Sequence, residues 1–326
     1  MGSKSGRFFG SGAVFIVLTL IGWSAVPLFL KYFTSPEHYI DGWTANGWRY
    51  GVAALIWAPV LLVFAGRRKL PRSLWRAALV PSLLNCLGQV CFAWAPYYIG
   101  PGLQSFLIRF QIIVVTLGAY LLFPAERRVM RTWRYWIGLV VVFAGTAGTS
   151  LLGRELPDGG TTFGIALGII AGLLFGGYAL AVRYYMHGVN PIVSFGTISQ
   201  YTAGGMIVLM LIMADSHGAA PLSLPGFDLW ILVASAVVGI ALGHVFYYAS
   251  IARLGVAVAA GVMLVAPFLT GTASVFLYNE HLTVAQWMSG MAALVGAVAV
   301  LSVQRGSKPT VNADKVMGDD MARRHG

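Results

Sequence analysis

A single arginine interrupts a long apolar stretch in the first half of the chain. Arg109 lies about seven residues inside the apolar run of residues 102–123. A guanidinium within a membrane helix costs about 2.5 to 3.5 kcal/mol on insertion scales, so it should face a polar cavity or a partner rather than lipid. Its planar fork suits a carboxylate or a similar anion, which it binds through paired hydrogen bonds. Two simpler roles stay open: snorkelling to the interface and pairing with backbone carbonyls.

Polar side chains recur on one face of two neighbouring apolar segments. Asn85 and Gln89 share a helical face at an interval of four, and Gln104 and Gln111 form a second stripe near Arg109. Hydrogen bonds between helices would explain such groups at about 1 kcal/mol each. Two stripes together with Arg109 in consecutive segments instead favour a shared polar cavity.

The second half supplies aromatic and imidazole groups for the same cavity. His244 lies about five residues from the inner end of its predicted span, where a structural imidazole and a protonation switch both fit. In the first half, Trp23 lies deep in a span, and both cavity lining and core packing stay open for it. The predicted substrate-binding residues are Trp23, Ser24, Asn85, Gln89, Gln104, Arg109, Gln111, Tyr178, His244 and Tyr248.

Ten apolar segments of membrane-crossing length must position these residues. A spanning helix needs about 20 mostly apolar residues, and the chain is 58% hydrophobic and only 10% charged. The sequence therefore predicts an all-α integral membrane protein with ten transmembrane helices. The predicted spans are residues 11–32, 44–65, 75–97, 102–123, 133–152, 162–186, 192–213, 227–249, 256–277 and 284–303.

The basic residues concentrate in alternate loops. A net charge of +11 would suggest nucleic acid if its placement were ignored. With the N-terminus inside, 18 of the 22 basic residues fall in inner segments, whereas the outer side has only Lys31, Arg49 and Arg154. This positive-inside bias predicts an inner-membrane protein with both termini in the cytoplasm. The lipid bilayer is then the expected partner of the basic residues, and nucleic acid is not.

The ten segments divide into two sets of five that end alike. Aligning Glu126 with Glu280 also aligns Trp133 with Trp287. Because each half has an odd number of spans, matching loops lie on opposite sides of the membrane, which indicates an inverted-topology repeat. The predicted division is a cytoplasmic segment at 1–10, five-helix repeats at 11–152 and 162–303, a linker loop at 153–161 and a disordered cytoplasmic tail at 304–326.

Glycines recur every fourth residue in the sixth segment, at Gly164, Gly168, Gly172 and Gly176. Small residues at this interval form a groove into which another helix packs closely. The stripe therefore predicts a close helix contact, and a smooth surface for sliding is the alternative.

Four short motifs occur in a recognisable order. They are residues 22–27 (Gly-Trp-Ser-Ala-Val-Pro), 48–50 (Trp-Arg-Tyr), 126–127 (Glu-Arg) and 279–283 (Asn-Glu-His-Leu-Thr). Together with ten spans in two halves, they resemble the EamA-type members of the drug/metabolite transporter superfamily over about residues 11–303. The family's usual proline in the last span but one of each half is present as Pro267, but the first half has none at the corresponding place. The resemblance implies transport of a small organic solute, with export as the expected direction.

The sequence lacks the catalytic and metal-binding groups that an enzymatic function would need. No apolar segment contains Asp or Glu in its interior, and no phosphate-binding loop or paired-histidine zinc motif occurs. Cys86 and Cys91 lie on different faces of one segment and imply neither a disulfide nor a metal site. We therefore expect a non-enzymatic transporter without a cofactor, monomeric or homodimeric, for a small anionic or zwitterionic metabolite such as an amino acid. A channel or sensor with a polar cavity is the alternative.

Overall fold

A computed structural model describes residues 12–67, 70–152, 159–278 and 283–305, which are helical and contain no strand. The helices are α1 (Gly12–Tyr32), α2 (Gly42–Gly66), α3 (Arg72–Trp94), α4 (Pro101–Ile108), α5 (Gln111–Leu122), α6 (Pro124–Met130), α7 (Trp133–Leu151), α8 (Gly159–Tyr185), α9 (Pro191–Met213), α10 (Gly226–Ser235), α11 (Gly243–Leu254), α12 (Val256–Met263), α13 (Ala266–Tyr278) and α14 (Val284–Arg305). A π-helical stretch, Ala236–Leu242, joins α10 to α11.

Within the described residues, eight helical segments are long and apolar enough to cross a membrane, so this is a multi-pass membrane protein. They are 12–32, 42–66, 72–97, 101–122, 161–185, 191–213, 226–254 and 256–278. Each coincides with one of the predicted spans. The remaining two predicted spans fall on α7 and α14, of which α14 carries a shorter apolar stretch at Val284–Val300.

Glycines bring α7 and α14 into backbone contact. A Cβ atom on Gly145 would lie 2.7 Å from the backbone nitrogen of Ala293, and one on Gly296 would lie 2.7 Å from that of Val142. Any side chain at either position would force the helices apart, because real Cβ atoms do not approach backbone so closely. Small residues thus fix this pair, as is typical where lipid removes the hydrophobic drive between helices.

The predicted fourth and ninth spans are each interrupted near their middle. Between α4 and α5, the N–H groups of Arg109 and Phe110 bond to carbonyls three residues back, as in a 3₁₀ turn. The ninth span has a similar turn between α12 and α13, and Pro267 follows at the second residue of α13. Because proline has no N–H, the carbonyl of Met263 lacks its usual donor four residues on.

The glycine stripe of the sixth segment packs α8 against the interrupted fourth span, which confirms the predicted close contact. A Cβ atom on Gly172 would lie 2.7 Å from the carbonyl oxygen of Ile108, and one on Gly176 would lie 2.8 Å from that of Gln111. The backbone of α8 therefore lies directly against the turn that holds Arg109.

Glu126 joins the two halves at the start of α12. Its carboxylate accepts hydrogen bonds from the backbone N–H groups of Val256 (3.1 Å) and Ala257 (3.0 Å), and it lies 3.4 Å from Nε of Arg183. Burial raises the pKa of the Glu126 carboxyl, while these N–H groups and Arg183 act in the opposite direction. Gly255 precedes with φ +82°, a conformation that favours glycine. Glu280, its predicted counterpart, lies outside the described residues.

Candidate functional site

A buried cavity lies between helices of both halves, near the interrupted fourth span. Its volume is about 60 Å³, counted as space open to the centre of a water molecule, which suffices for a few waters. The lining residues are Trp23, Val26, Pro27, Arg49, Gln89, Phe92, Ile108, Arg109, Gln111, Phe175, Tyr178, Gly239, Ile240, His244 and Tyr247.

The cavity brings together six of the ten predicted site residues, which come from α1, α3, α5, α8, α11 and the turn before α5. They are Trp23, Gln89, Arg109, Gln111, Tyr178 and His244. Arg109 and Gln111 of the fourth span therefore face a common space with aromatic residues of the second half. Each predicted stripe contributes one residue to it, Gln89 from the third span and Gln111 from the fourth.

Arg49 is the residue that the sequence analysis missed. Its side chain is 0% exposed and lines the cavity, and none of its three guanidinium nitrogens has a hydrogen-bond partner among the described residues. The sequence analysis had counted Arg49 with the outer side of the membrane, although the predicted span of residues 44–65 includes this position. In the structure α2 begins at Gly42, and Arg49 lies well inside this helix.

A local signal for this placement exists in the sequence. Asp41 is the N-cap of α2, and its carboxylate accepts hydrogen bonds from the N–H groups of Trp43 and Thr44, each at 2.9 Å. A helix that begins at such a cap carries Arg49 about 12 Å along its axis, at about 1.5 Å per residue. A cap at Asp41 would thus have placed the guanidinium inside the membrane.

The π-helical stretch lets the backbone approach Arg49. A Cβ atom on Gly239 would lie 3.3 Å from Nη2 of Arg49 and would also overlap the side chain of Val26. The carbonyl of Gly239 accepts a hydrogen bond of 2.9 Å from Nε1 of Trp23. Single π-helical turns within α-helices are frequent at functional sites, and this one forms one wall of the cavity.

Arg109 has backbone partners, in contrast to Arg49. Its Nε donates to the carbonyl of Ser105 at 3.1 Å, and its Nη1 donates to the carbonyl of Met263 at 3.0 Å. The second bond replaces the N–H that Pro267 lacks, so a side chain of the first half caps the interrupted helix of the second. This geometry corresponds to the carbonyl-pairing role that the sequence left open, although the guanidinium also borders the cavity.

His244 lies deeper than the sequence predicted. The eighth segment continues to Leu254, so His244 is ten residues from its end rather than about five. Its Nδ1 lies 3.0 Å from the carbonyl of Ile240, which means that this nitrogen is the protonated donor. The ring stacks on Phe195 at 4.7 Å and meets Trp23 edge-on at 5.0 Å. The imidazole is therefore held in an aromatic wall.

The other four predicted site residues do not line the cavity, and each makes a hydrogen bond elsewhere. The Asn85 amide forms hydrogen bonds with the hydroxyls of Tyr50 and Thr202. Nε2 of Gln104 donates to the carbonyl of Phe92. These contacts are the interhelical bonds that the sequence analysis weighed against cavity lining.

Ser24 and Tyr248 complete this group. The Ser24 hydroxyl donates to the carbonyl of Leu20 one turn back in α1. The Tyr248 hydroxyl pairs with that of Tyr178, so it contacts a residue that lines the cavity without lining the cavity itself. Neither side chain reaches the cavity itself.

The cavity is cationic and aromatic. Two guanidinium groups border it, and no Asp or Glu is among its lining residues. Trp23, Phe175 and Tyr178 provide apolar surface. Such a wall can bind an anionic group through charged hydrogen bonds and an attached apolar part by burial.

Comparison with known families matches both halves of the chain. The model of the EamA-like transporter family matches residues 10–151 and 162–302. The chain belongs to this family. A solved structure titled "Crystal structure of protein" is similar to it with a TM-score of 0.67 and 14% identity, covering 94% of this chain and 100% of that one. That likeness concerns the fold alone, and no curated protein matches.

Within this EamA-like chain, the cavity residues come from both matched regions. Arg49, Gln89 and Arg109 lie in the first, and Tyr178 and His244 lie in the second. The described residues contain no group of three or more His, Cys, Asp or Glu side chains that could hold a metal ion.

Proposed function

We propose that this protein is a secondary transporter that moves a small anionic or zwitterionic organic metabolite across the inner membrane. The substrate binds in the central cavity, and the two halves expose it alternately to either side. Membership of the EamA-like family supports transport, and the chemistry of the cavity supports the substrate class.

The unpaired guanidinium of Arg49 carries this proposal. Burying a charge without a partner is costly, and a buried polar group that lacks a hydrogen bond calls for an explanation. A carboxylate in the cavity would accept two parallel hydrogen bonds from the planar fork of Arg49. The unpaired charge then destabilises the ligand-free protein. When the substrate is present, the same charge provides affinity and selectivity.

Gln89 extends the proposal to zwitterions. Its side chain lines the cavity, and its Oε1 atom has no hydrogen-bond partner among the described residues. An ammonium group could donate to this oxygen, while the carboxylate of the same molecule binds Arg49. A purely cationic solute would meet two guanidinium groups and no carboxylate, so we propose that cations are excluded.

The helix packing supports two inverted five-helix repeats with ten spans in all. In an inverted repeat, spans 1 to 5 correspond to spans 6 to 10. Helix α1 packs on the eighth span, and α8, its counterpart, packs on the third. Helix α1 also packs on the ninth span, as α8 does on the fourth. The equivalent spans α2 and α9 pack on each other, as do α7 and α14.

A contact between helices beside the cavity supports a carrier rather than a channel. The hydroxyl of Tyr178, which lines the cavity, pairs with that of Tyr248. A channel would give unsaturated flux, whereas a carrier gives saturable flux and counterflow. Both termini face the cytoplasm in this proposal because of the positive-inside bias, and export is the direction implied by family resemblance.

Ligand-induced thermal stabilisation of the purified protein tests the substrate class. We expect an organic acid or amino acid to raise the apparent Tm, since a ligand at about 100 times its Kd stabilises by about 2.7 kcal/mol. In Arg49→Gln, the affinity should fall at least about tenfold, because hydrogen bonds to a charged group are lost. Arg134→Gln, at an exposed position, is the control that should bind normally. Stabilisation by sugars or organic cations alone, or normal binding by Arg49→Gln, would contradict the proposal.

A further inference from the structure

A second, larger cavity lies beyond the aromatic wall of the central one. This chamber has a volume of about 560 Å³ by the same measure. Its walls include Val182 and Arg183 of α8, Ser194 of α9, and Tyr248 and Ile251 of α11. It lies at the end of the molecule that the positive-inside bias assigns to the cytoplasm.

The same two helices line both cavities, one turn apart. On α8, Tyr178 borders the central cavity and Val182 borders the chamber. On α11, Tyr247 borders the central cavity and Ile251 borders the chamber. Four residues of helix span about 6 Å, so the wall between the two cavities is about one helical turn thick.

A cluster of buried aromatic side chains fills this wall. The hydroxyl of Tyr178, on the side of the central cavity, hydrogen-bonds with that of Tyr248, on the side of the chamber. Phe195 stacks on His244 and meets Tyr248 edge-on at 5.8 Å. Each of these four side chains is at most 3% exposed. A hydrogen bond between α8 and α11 therefore crosses this wall.

We propose that the chamber is the cytoplasmic mouth of the transport pathway and that the Tyr178–Tyr248 contact is the barrier that closes it. The proposal rests on the proposed function, because it assumes that the central cavity holds the substrate. Opening requires that the two hydroxyls part and that the ring of Tyr248 turns away from Phe195.

The chamber suits the same substrate class. Arg183 and Arg253 are among its lining residues, which include no Asp or Glu. Arg183 lies beside Glu126, whereas Arg253 covers the ring of Phe15 at 4.7 Å and donates to the carbonyl of Ala249. The hydroxyl of Ser194 is buried and lacks a partner among the described residues. An anionic solute entering here would meet positive charge before it reaches the barrier.

Cysteine labelling in membrane vesicles tests the barrier without any transport substrate. Two reporters are placed singly in a Cys86→Ala/Cys91→Ala background: Ala252→Cys, an exposed position in the chamber, and Val26→Cys in the central cavity. Inside-out and right-side-out vesicles are treated with a membrane-impermeant, sulfonate-bearing methanethiosulfonate, and labelling rates are compared. Tyr248→Ala removes the barrier, and Tyr248→Phe removes only its hydroxyl. Tyr185→Ala, an exposed position on α8, is the matched control.

We expect Ala252→Cys to label in inside-out vesicles in every variant. Val26→Cys should label slowly from that side in the presence of both tyrosines. Tyr248→Phe should raise its rate about fivefold to tenfold, the effect of one lost buried hydrogen bond, and Tyr248→Ala should raise it further. Tyr185→Ala should leave it unchanged. If Tyr248→Ala does not yield folded protein, Tyr248→Phe alone decides the outcome.

Two results would overturn the proposal. One is labelling of Ala252→Cys only from the outer face, and the other is a Val26→Cys rate that does not change when Tyr248 is replaced. Failure of the proposed function is distinguishable, because it would leave these labelling rates intact while no anionic or zwitterionic compound raises the Tm.

Discussion

The two cavity arginines should respond to replacement with opposite changes in stability. Arg49→Met and Arg109→Met both remove a buried charge and substitute an unbranched apolar side chain that adapts to irregular space. Arg49 has no hydrogen-bond partner to lose among the described residues, whereas Arg109 donates to the carbonyls of Ser105 and Met263. We therefore expect Arg49→Met to stabilise the ligand-free protein and Arg109→Met to destabilise it.

The magnitudes follow from the same contacts. Removing an uncompensated guanidinium from the membrane interior relieves up to about 2.5 to 3.5 kcal/mol, and less where cavity water solvates it. For Arg109, two hydrogen bonds from a charged donor contribute about 1.5 to 3 kcal/mol each, and the Met263 carbonyl is left without a donor because Pro267 cannot supply one. These losses exceed the relief of burial, so the net loss is about 1 to 3 kcal/mol.

Thermal unfolding of the purified protein in one detergent, without ligand, measures both effects. At about 2 to 4 °C per kcal/mol, the two variants should differ in Tm by several degrees, one above and one below the wild type. Arg134→Met, at an exposed position, should stay within about 0.5 kcal/mol of wild type. If Arg49→Met lowers the Tm as much as Arg109→Met does, then Arg49 has a structural partner, and the argument for a vacant anion site fails.

Two further predictions concern orientation and energy coupling. Single cysteines at Arg72 or Arg131 in a cysteine-free background should be protected from an impermeant thiol reagent in intact cells, while one at Asp158 should react; the reverse pattern would refute the assigned orientation. No Asp or Glu lines the cavity, and His244 is the one imidazole among its lining residues. Uptake into proteoliposomes should therefore respond weakly or not at all to an imposed pH gradient, and any response should vanish in His244→Gln. Strong proton-driven accumulation that survives this replacement would redirect attention to Glu126 or Glu280.

Local sequence was sufficient for the helices and the broad class of protein. A membrane helix satisfies its backbone hydrogen bonds within a single segment, so each span can be recognised from its own residues. The eight membrane-crossing segments therefore coincide with predicted spans, and the glycine stripe of α8 predicted a close contact that the structure confirms. The motifs at 22–27 and 126–127 indicated the family to which the chain belongs.

The candidate site could be predicted only in part. Arg109, Gln89 and His244 attracted notice because polar groups are rare in apolar segments, and all three line the cavity. Asn85 and Gln104 attracted notice for the same reason, yet they bond to neighbouring helices. Helical spacing predicts which residues share a face, but the partner that this face meets depends on other helices.

Tertiary structure alone decided which of the two cavity arginines has hydrogen-bond partners among the described residues. Arg109 is satisfied by Met263, 154 residues away, and Tyr178 meets Tyr248, 70 residues away. Arg49 has no hydrogen-bond partner among the described residues, although the π-helical turn at Gly239 lies beside its guanidinium. The sequence by itself determined where helices form and which side chains are costly to bury in lipid. The packing of helices that are distant in sequence determined which buried polar groups find a hydrogen-bond partner within the protein and which remain for a ligand. The reason is that a hydrogen bond depends on distance in space and not on separation along the chain.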